Sequence, residues 1–333
     1  MKFLRLTVFI LTVVLAGAFL AVAQDGSKKK KNSQLLLPER PVAVKANVKI
    51  VDASGNFVND LKVENIKIFE DGVEQKITYL VRKEPVLNLG LVMDNTGSMR
   101  LHLDRIVPTA ISFVDMLTGK DDAFVIRFVS SDKVETVHDW TADKFKLRAS
   151  LENLFIEGGQ SAVLDALYLA GEKMREREKR DRSSRCAIVL VSDVEERNSY
   201  YDLQETLAVY KDSDLQIFVV GIMADLPKNR TNPDQPKRPR ETSERLAHTL
   251  ALETGGAAYI LGANYKKEDL IGVIKSIGDE LRYQYVVGYT SANSKRDGSV
   301  RSLRVEVADG VKGEKRSGSI RESFVVPNED VKK

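Results

Sequence analysis

Residues 87–98 read LNLGLVMDNTGS. An apolar run from Leu87 to Met93 stops at Asp94 and gives way to a loop carrying Asn95, Thr96, Gly97 and Ser98. A short apolar run bounded by turn residues and followed by a helical pattern predicts a buried parallel strand feeding a βα unit. In open α/β sheets, ligand sites form at the carboxyl ends of such strands. Asp94, Thr96 and Ser98 alternate, so one carboxylate and two hydroxyls can turn toward one point. Hard oxygen donors of this kind suit Mg²⁺, and equally Mn²⁺ or Ca²⁺. The same three residues also suit a plainer role, capping the helix that follows.

Working outward, residues 86–285 alternate between buried strands and amphipathic helices. Predicted strands are Leu87–Met93, Ala123–Val129, Ala187–Ser192, Leu215–Ile222 and Ala257–Leu261, with Lys133–Val137 pairing beside the second. Predicted helices are Arg100–Leu117, Asp143–Leu154, Ala162–Glu178, Tyr201–Lys211, Glu241–Glu253 and Lys267–Tyr283. Pro108 is expected to kink the first helix or end its first part. The alternation predicts an α/β fold, doubly wound, with a mostly parallel central sheet covered on both faces. Residues 224–240 interrupt the rhythm with four prolines and many charges, as a surface loop does.

The flanks read as β. Val44–Val51, Val63–Phe69 and Gln75–Val81 precede the α/β part, and Glu70-Asp71-Gly72 gives a hairpin signal. Tyr285–Tyr289, Ser302–Val307 and Ser319–Val326 follow it. Neither flank alone buries enough surface to stand. The two are therefore expected to pair, residues 286–328 with 41–85, as one smaller β domain. Residues 1–23 have the pattern of a secretory signal: Lys2 and Arg5, an apolar stretch from Leu6 to Leu20, then Ala21-Val22-Ala23. A disordered linker over 24–40 and a short tail over 329–333 complete the division. The expected location is outside the cytoplasm, in the periplasm or at the cell surface, with no integral span once the leader is removed.

Composition is that of an ordinary globular chain, with 43% hydrophobic and 30% charged residues. A formal charge of +3 and the lack of an aromatic-basic platform argue against nucleic acid. Cys186 is the only cysteine, so no intrachain disulfide forms, and it opens an apolar run as a small buried hydrophobe. The three histidines show no metal-ligand spacing.

Two later loops share the geometry of the first. The run Cys186–Ser192 ends at Asp193, so LVSD mirrors LVMD. Between them, Glu157-Gly158-Gly159-Gln160-Ser161 leads into the helix beginning Ala162. Asp94-x-Thr96-x-Ser98, Gly-Gly-x-Ser161 and Asp193 together resemble the metal-ion-dependent adhesion site of von Willebrand factor type A domains, over about residues 86–285. The phrases NFVNDLKVENIKIFEDG and LRYQYVVGY are similar to those of von Willebrand factor A-related exported proteins described from acidobacteria. The resemblance implies a sheet of about six strands with one antiparallel edge. It also implies a divalent ion held by Asp94, Thr96, Ser98, Ser161 and Asp193, and a protein partner that completes its shell with an Asp or Glu carboxylate. Three departures stand out: Thr96 where Ser is usual, Ser161 where Thr is usual, and Val194 where Gly is frequent, followed by Glu195 and Glu196.

The leading expectation is a non-enzymatic exported binding module. The enzyme alternative is a metal-dependent phosphohydrolase of the haloacid dehalogenase type, which also ends an apolar strand in Asp. That chemistry uses Asp-x-Asp-x-Thr, and Thr96 stands in place of the second acid. A structural envelope protein with a vestigial site is the third class.

Overall fold

Eight consecutive residues, Leu87–Asp94, are all buried, and they form the middle of a six-stranded sheet. The computed structural model describes residues 41–82, 86–180, 184–211, 213–223, 239–262 and 264–328. The leader, the linker, most of the 224–240 segment and the tail therefore lie outside the described residues.

The first flank supplies β1 (Ala43–Asp52), β2 (Ile66–Glu70), β3 (Val73–Gln75) and β4 (Ile77–Val81). The α/β part then runs β5 (Leu87–Asp94), α1 (Leu103–Met116), β6 (Asp122–Ser130), β7 (Lys133–Thr141), α2 (Lys144–Glu152), α3 (Val163–Arg180) and β8 (Arg185–Ser192). It continues with α4 (Leu203–Lys211), β9 (Gln216–Ile222), α5 (Pro239–Thr254), β10 (Ala258–Leu261) and α6 (Lys267–Tyr283). The second flank adds β11 (Tyr285–Thr290), β12 (Val300–Val307), β13 (Arg316–Ile320) and β14 (Ser323–Val325).

The central sheet has the order β10-β9-β8-β5-β6-β7, all parallel except β7, which pairs antiparallel with β6 at the edge. The α/β fold with one antiparallel edge strand is thus the one the alternation and the resemblance implied. Its two faces carry separate cores. On one, Leu89, Leu91 and Met93 of β5 meet Phe113 and Val114 of α1 and Ile277 and Leu281 of α6. On the other, Val92 and Phe124 meet Val163, Leu167 and Met174 of α3. Gly90 is needed between them: a Cβ there would lie 2.5 Å from the Phe124 ring.

From β5 the chain moves to β6 and β7 on one side, then crosses to β8 on the other. The crevice between the loops after β5 and β8 is therefore the topological switch point, where α/β sheets bind ligands.

The flanking strands form two antiparallel sheets, β13-β1-β11-β4 and β14-β12-β2-β3. They share one core that includes Val44, Val48, Ile68, Val287, Leu303 and Phe324. Each sheet mixes strands from both flanks. Residues 40–333 make one compact unit, and polar contacts join its parts. Buried Arg185 donates to the α6 carbonyls of Glu280 (3.2 Å) and Leu281 (2.8 Å) and to Asn47 Oδ1 of β1 (3.1 Å). Lys49 of β1 pairs with Glu280 at 2.7 Å.

Several boundaries differ from the sequence expectation, for identifiable reasons. Val63–Asn65 is a 3₁₀ turn before β2 and not the start of a strand. The expected Gln75–Val81 strand is two strands, β3 and β4, in different sheets; the expected Ser319–Val326 strand likewise divides into β13 and β14. Apolar alternation reports which face is buried but not which sheet a residue joins. The hairpin at Asp71-Gly72 forms as read, with φ of 47° and 80°. The expected helix from Arg100 is a 3₁₀ turn over Gly97–Leu101, then α1 from Leu103, and Pro108 lies inside α1 without ending it.

Candidate metal site

The register of β5 against β8 sets Met93 opposite Val191, so Asp94 and Ser192 end their strands at one level. Ser192 Oγ donates to Asp94 Oδ2 at 2.6 Å. The other carboxylate oxygen, Oδ1, accepts from Thr96 Oγ1 at 2.6 Å and from the Thr96 N–H at 3.0 Å. Thr96 Oγ1 lies 2.9 Å from Ser98 Oγ, and the Ser98 hydroxyl reaches the Asp193 carboxylate. Asp193 Oδ1 also accepts the Glu195 N–H at 2.9 Å. Asp94, Thr96, Ser98 and Asp193 thus form one connected cluster across the switch point.

Ser161 is tied to this cluster through its backbone. Its carbonyl accepts from the N–H groups of Arg197 (3.0 Å) and Asn198 (3.1 Å) on the loop after β8. Its own loop is joined to the first through Glu157 N–H to the Asn95 carbonyl (2.9 Å) and Asn95 Nδ2 to the Phe155 carbonyl (2.8 Å). Gly159 permits that approach, since a Cβ would stand 2.4 Å from Val129. Ser161 Oγ is buried and has no hydrogen-bond partner, which ordinarily costs about 1–3 kcal/mol.

Both carboxyls of the cluster are perturbed by their surroundings. Burial, and after it the Asp193 charge, push the Asp94 carboxyl up to about 7. Burial likewise raises Asp193, against the Glu195 N–H and the Ser98 hydroxyl, which lower it. Two buried carboxylates facing each other repel, and a positive charge between them relieves that repulsion. Among the described residues no group of three or more His, Cys, Asp or Glu gathers around a common point. The donor set here has two carboxylates and three hydroxyls, all oxygen, which fits a hard divalent ion. The orphaned Ser161 hydroxyl fits it as well.

The supporting residues were only partly legible. Asp165 holds the third loop, accepting the N–H groups of Tyr200 and Tyr201 at 2.9 Å. Glu196, which the sequence offers as surplus negative charge, is engaged elsewhere: its carboxylate accepts the Leu164 N–H (3.0 Å) at the start of α3 and the Ser199 N–H (2.8 Å). Anions at a helix N-terminus are favourable. Ser192, which donates to Asp94, has the faintest signature in the sequence. A polar residue closing an otherwise apolar run, one position before the carboxylate, was its only signal. Val194 stands at φ 57°, the conformation that the usual Gly adopts without strain. Cys186 is buried and its thiol is pushed up to about 11 by burial, which leaves it inert at neutral pH.

Residues 88–251 match the von Willebrand factor type A domain family. No curated protein sequence matches the chain. Among solved structures, an aerotolerance-related membrane protein from Bacteroides fragilis NCTC 9343 aligns with 59% of this chain and 98% of its own, at 19% identity and TM-score 0.43. The conserved hypothetical protein BatB from Bacteroides thetaiotaomicron aligns with 58% and 98%, at 17% identity and TM-score 0.42. A von Willebrand factor type A protein from Catenulispora acidiphila aligns with 88% and 75%, at 11% identity and TM-score 0.43. The family match begins in β5 and spans all three loops of the cluster: residues 88–251 of the chain are a von Willebrand factor type A domain.

Proposed function

We propose that this protein is an exported binding module that engages an acidic side chain of a protein partner through a divalent cation, Mg²⁺ or else Mn²⁺ or Ca²⁺, held by Asp94, Thr96, Ser98, Ser161 and Asp193. The observation that carries the reading is an unpartnered buried hydroxyl, Ser161 Oγ, on a loop hydrogen-bonded through its backbone to the two loops that bear mutually repelling buried carboxylates. When bound, the ion supplies positive charge and an open coordination position for a partner's carboxylate.

The chain's own residues set that charge. Thr96, Ser98 and Ser161 offer neutral hydroxyls and subtract nothing from it. Asp94 is held from both sides by Ser192 and Thr96, and Asp193 by Ser98 and the Glu195 N–H. With only two carboxylates at the cluster, a third from a partner is attracted and not repelled. Glu195 and Glu196 do not offset this, because Glu195 pairs with Arg197 at 2.6 Å and Glu196 caps α3.

Export is supported by the leader pattern of residues 1–23, and among the described residues no helix is long and apolar enough to cross a membrane. A phosphohydrolase would need a general acid two positions after Asp94, where Thr96 stands; the reading is therefore non-enzymatic. Calorimetric titration of Mg²⁺ should show one site in the wild type and none in the Asp94→Ala/Ser98→Ala double variant, with no turnover of a generic phosphate ester. Turnover that depends on Asp94 would replace this reading with the enzyme. Absence of divalent-ion binding by the wild type would leave a structural envelope protein.

A further inference from the structure

Each of the three loops in the cluster also carries one large apolar side chain in solvent: Leu101 (74% exposed), Phe155 (54%) and Tyr200 (81%). Leu101 closes the 3₁₀ turn that contains Ser98. Phe155 is joined through its carbonyl to Asn95, the neighbour of Asp94. The Tyr200 N–H bonds Asp165, one helical turn beyond Ser161. The two aromatics are already held in place. The Arg127 guanidinium lies 4.4 Å over the Phe155 ring. Tyr200 packs edge-on against Tyr201 at 5.1 Å, and Tyr201 stacks on Tyr168 at 3.6 Å. Exposed side chains that are held this way lose little freedom on being covered, and clustered apolar exposure marks interaction sites.

Much of the charge on the same loops is matched internally. Glu157 is paired with Lys133 and Arg127, and Glu195 with Arg197. Arg100, exposed beside Leu101, has no ion-pair partner among the described residues. Glu196 is taken up by the N–H groups of Leu164 and Ser199 and Asp104 lies on the first turn of α1, so the positive charge that would complement an acidic partner is that of Arg100 together with the cation of the proposed site.

We infer that this face receives an extended segment of a partner protein in which an Asp or Glu is flanked by large apolar side chains. The acid is drawn by Arg100 to the metal site, and the flanks cover Leu101, Phe155 and Tyr200. The inference rests on the metal-site reading above.

The test uses three synthetic peptides in a Ser/Gly background: a central Asp flanked by Leu and Phe, the same Asp flanked by Ser, and the apolar-flanked peptide with Asn for Asp. Binding to the purified chain is read by fluorescence polarisation in Mg²⁺ and in EDTA. In Mg²⁺ the apolar-flanked Asp peptide should bind at least about tenfold tighter than its Ser-flanked twin. Leu101→Ser, Phe155→Ser and Tyr200→Ser should each remove most of that advantage while calorimetric Mg²⁺ affinity stays at the wild-type value. Equal binding of the two twins, or no binding of any peptide, with Mg²⁺ affinity intact, overturns the rim and leaves the metal site standing. Loss of Mg²⁺ binding in the wild type overturns both. Concentration-dependent self-association abolished by the same three variants would assign the face to a second copy of the chain and overturn the proposal.

Discussion

Val194 adopts φ 57° although its Cβ is branched, a conformation that bulky L-residues rarely take. Such strain costs about 1–3 kcal/mol, while the buried Val194 side chain returns about 1.5–3 kcal/mol through packing. The two effects nearly offset, and that balance gives a test. At an ordinary buried position, Val→Gly destabilises more than Val→Ala. Here Val194→Gly should be at least as stable as Val194→Ala in denaturant unfolding, because only Gly removes the strain; the ordinary order would contradict it. Asp94 gives a second test. Its folded pKa of about 7 lies above the unfolded 3.8, so its contribution is fully present below the lower value and is lost as pH rises through the upper one. Without metal, Asp94→Asn should therefore gain stability over the wild type progressively from about pH 4 to pH 8, measured by thermal unfolding in EDTA. A pH-independent difference would mean that Asp94 is not held under that penalty. The cluster residues were readable because carboxylates and hydroxyls ended two apolar runs at a fixed spacing. Ser192 was not, because its role comes from the register of two strands remote in sequence.

At the scale of elements, long periodic segments were legible and short ones were not. α6 begins and ends where its apolar spacing indicates, Lys267 to Tyr283. The end of the Gly97–Leu101 turn, Arg100 and Leu101, falls inside the expected helix, since 3₁₀ and α patterns differ little over so few residues. Pro108 did not mark the helix break, which falls at His102 upstream of it. In the β flanks, the two sheets are joined by a buried side-chain network that alternation could not reveal. Arg301 of β12, fully buried, donates to Glu70 of β2 at 2.7 Å, to Ser291 Oγ at 2.9 Å and to the Asn293 carbonyl at 2.8 Å. Glu70 also accepts from Tyr289 at 2.8 Å and Ser291 at 2.6 Å. Arg301→Met would leave the Glu70 charge buried without its cation, costing about 3–5 kcal/mol. Urea unfolding should show that loss; a change under about 1 kcal/mol would mean the pair adds little beyond a surface bridge.

At the scale of the molecule, a von Willebrand factor type A domain is inserted in sequence between two flanks that fold together as two sheets on one core, and each sheet needs strands from both flanks. The pairing was expected because each flank is too small alone, and it is observed as two mixed sheets. The division of short strands between those sheets was beyond the sequence, since it depends on contacts more than 200 residues apart. The switch point of the central sheet then gathers three loops into one oxygen-lined cluster. Anomalous diffraction from crystals of the chain grown with Mn²⁺ tests that cluster most directly. The account predicts one strong peak in contact with Thr96 Oγ1 and Ser98 Oγ, at about 2.1–2.2 Å as octahedral oxygen ligation requires, with Ser161, Asp94 and Asp193 around it. A Mn²⁺ peak held by other residues while these five side chains remain metal-free would contradict it.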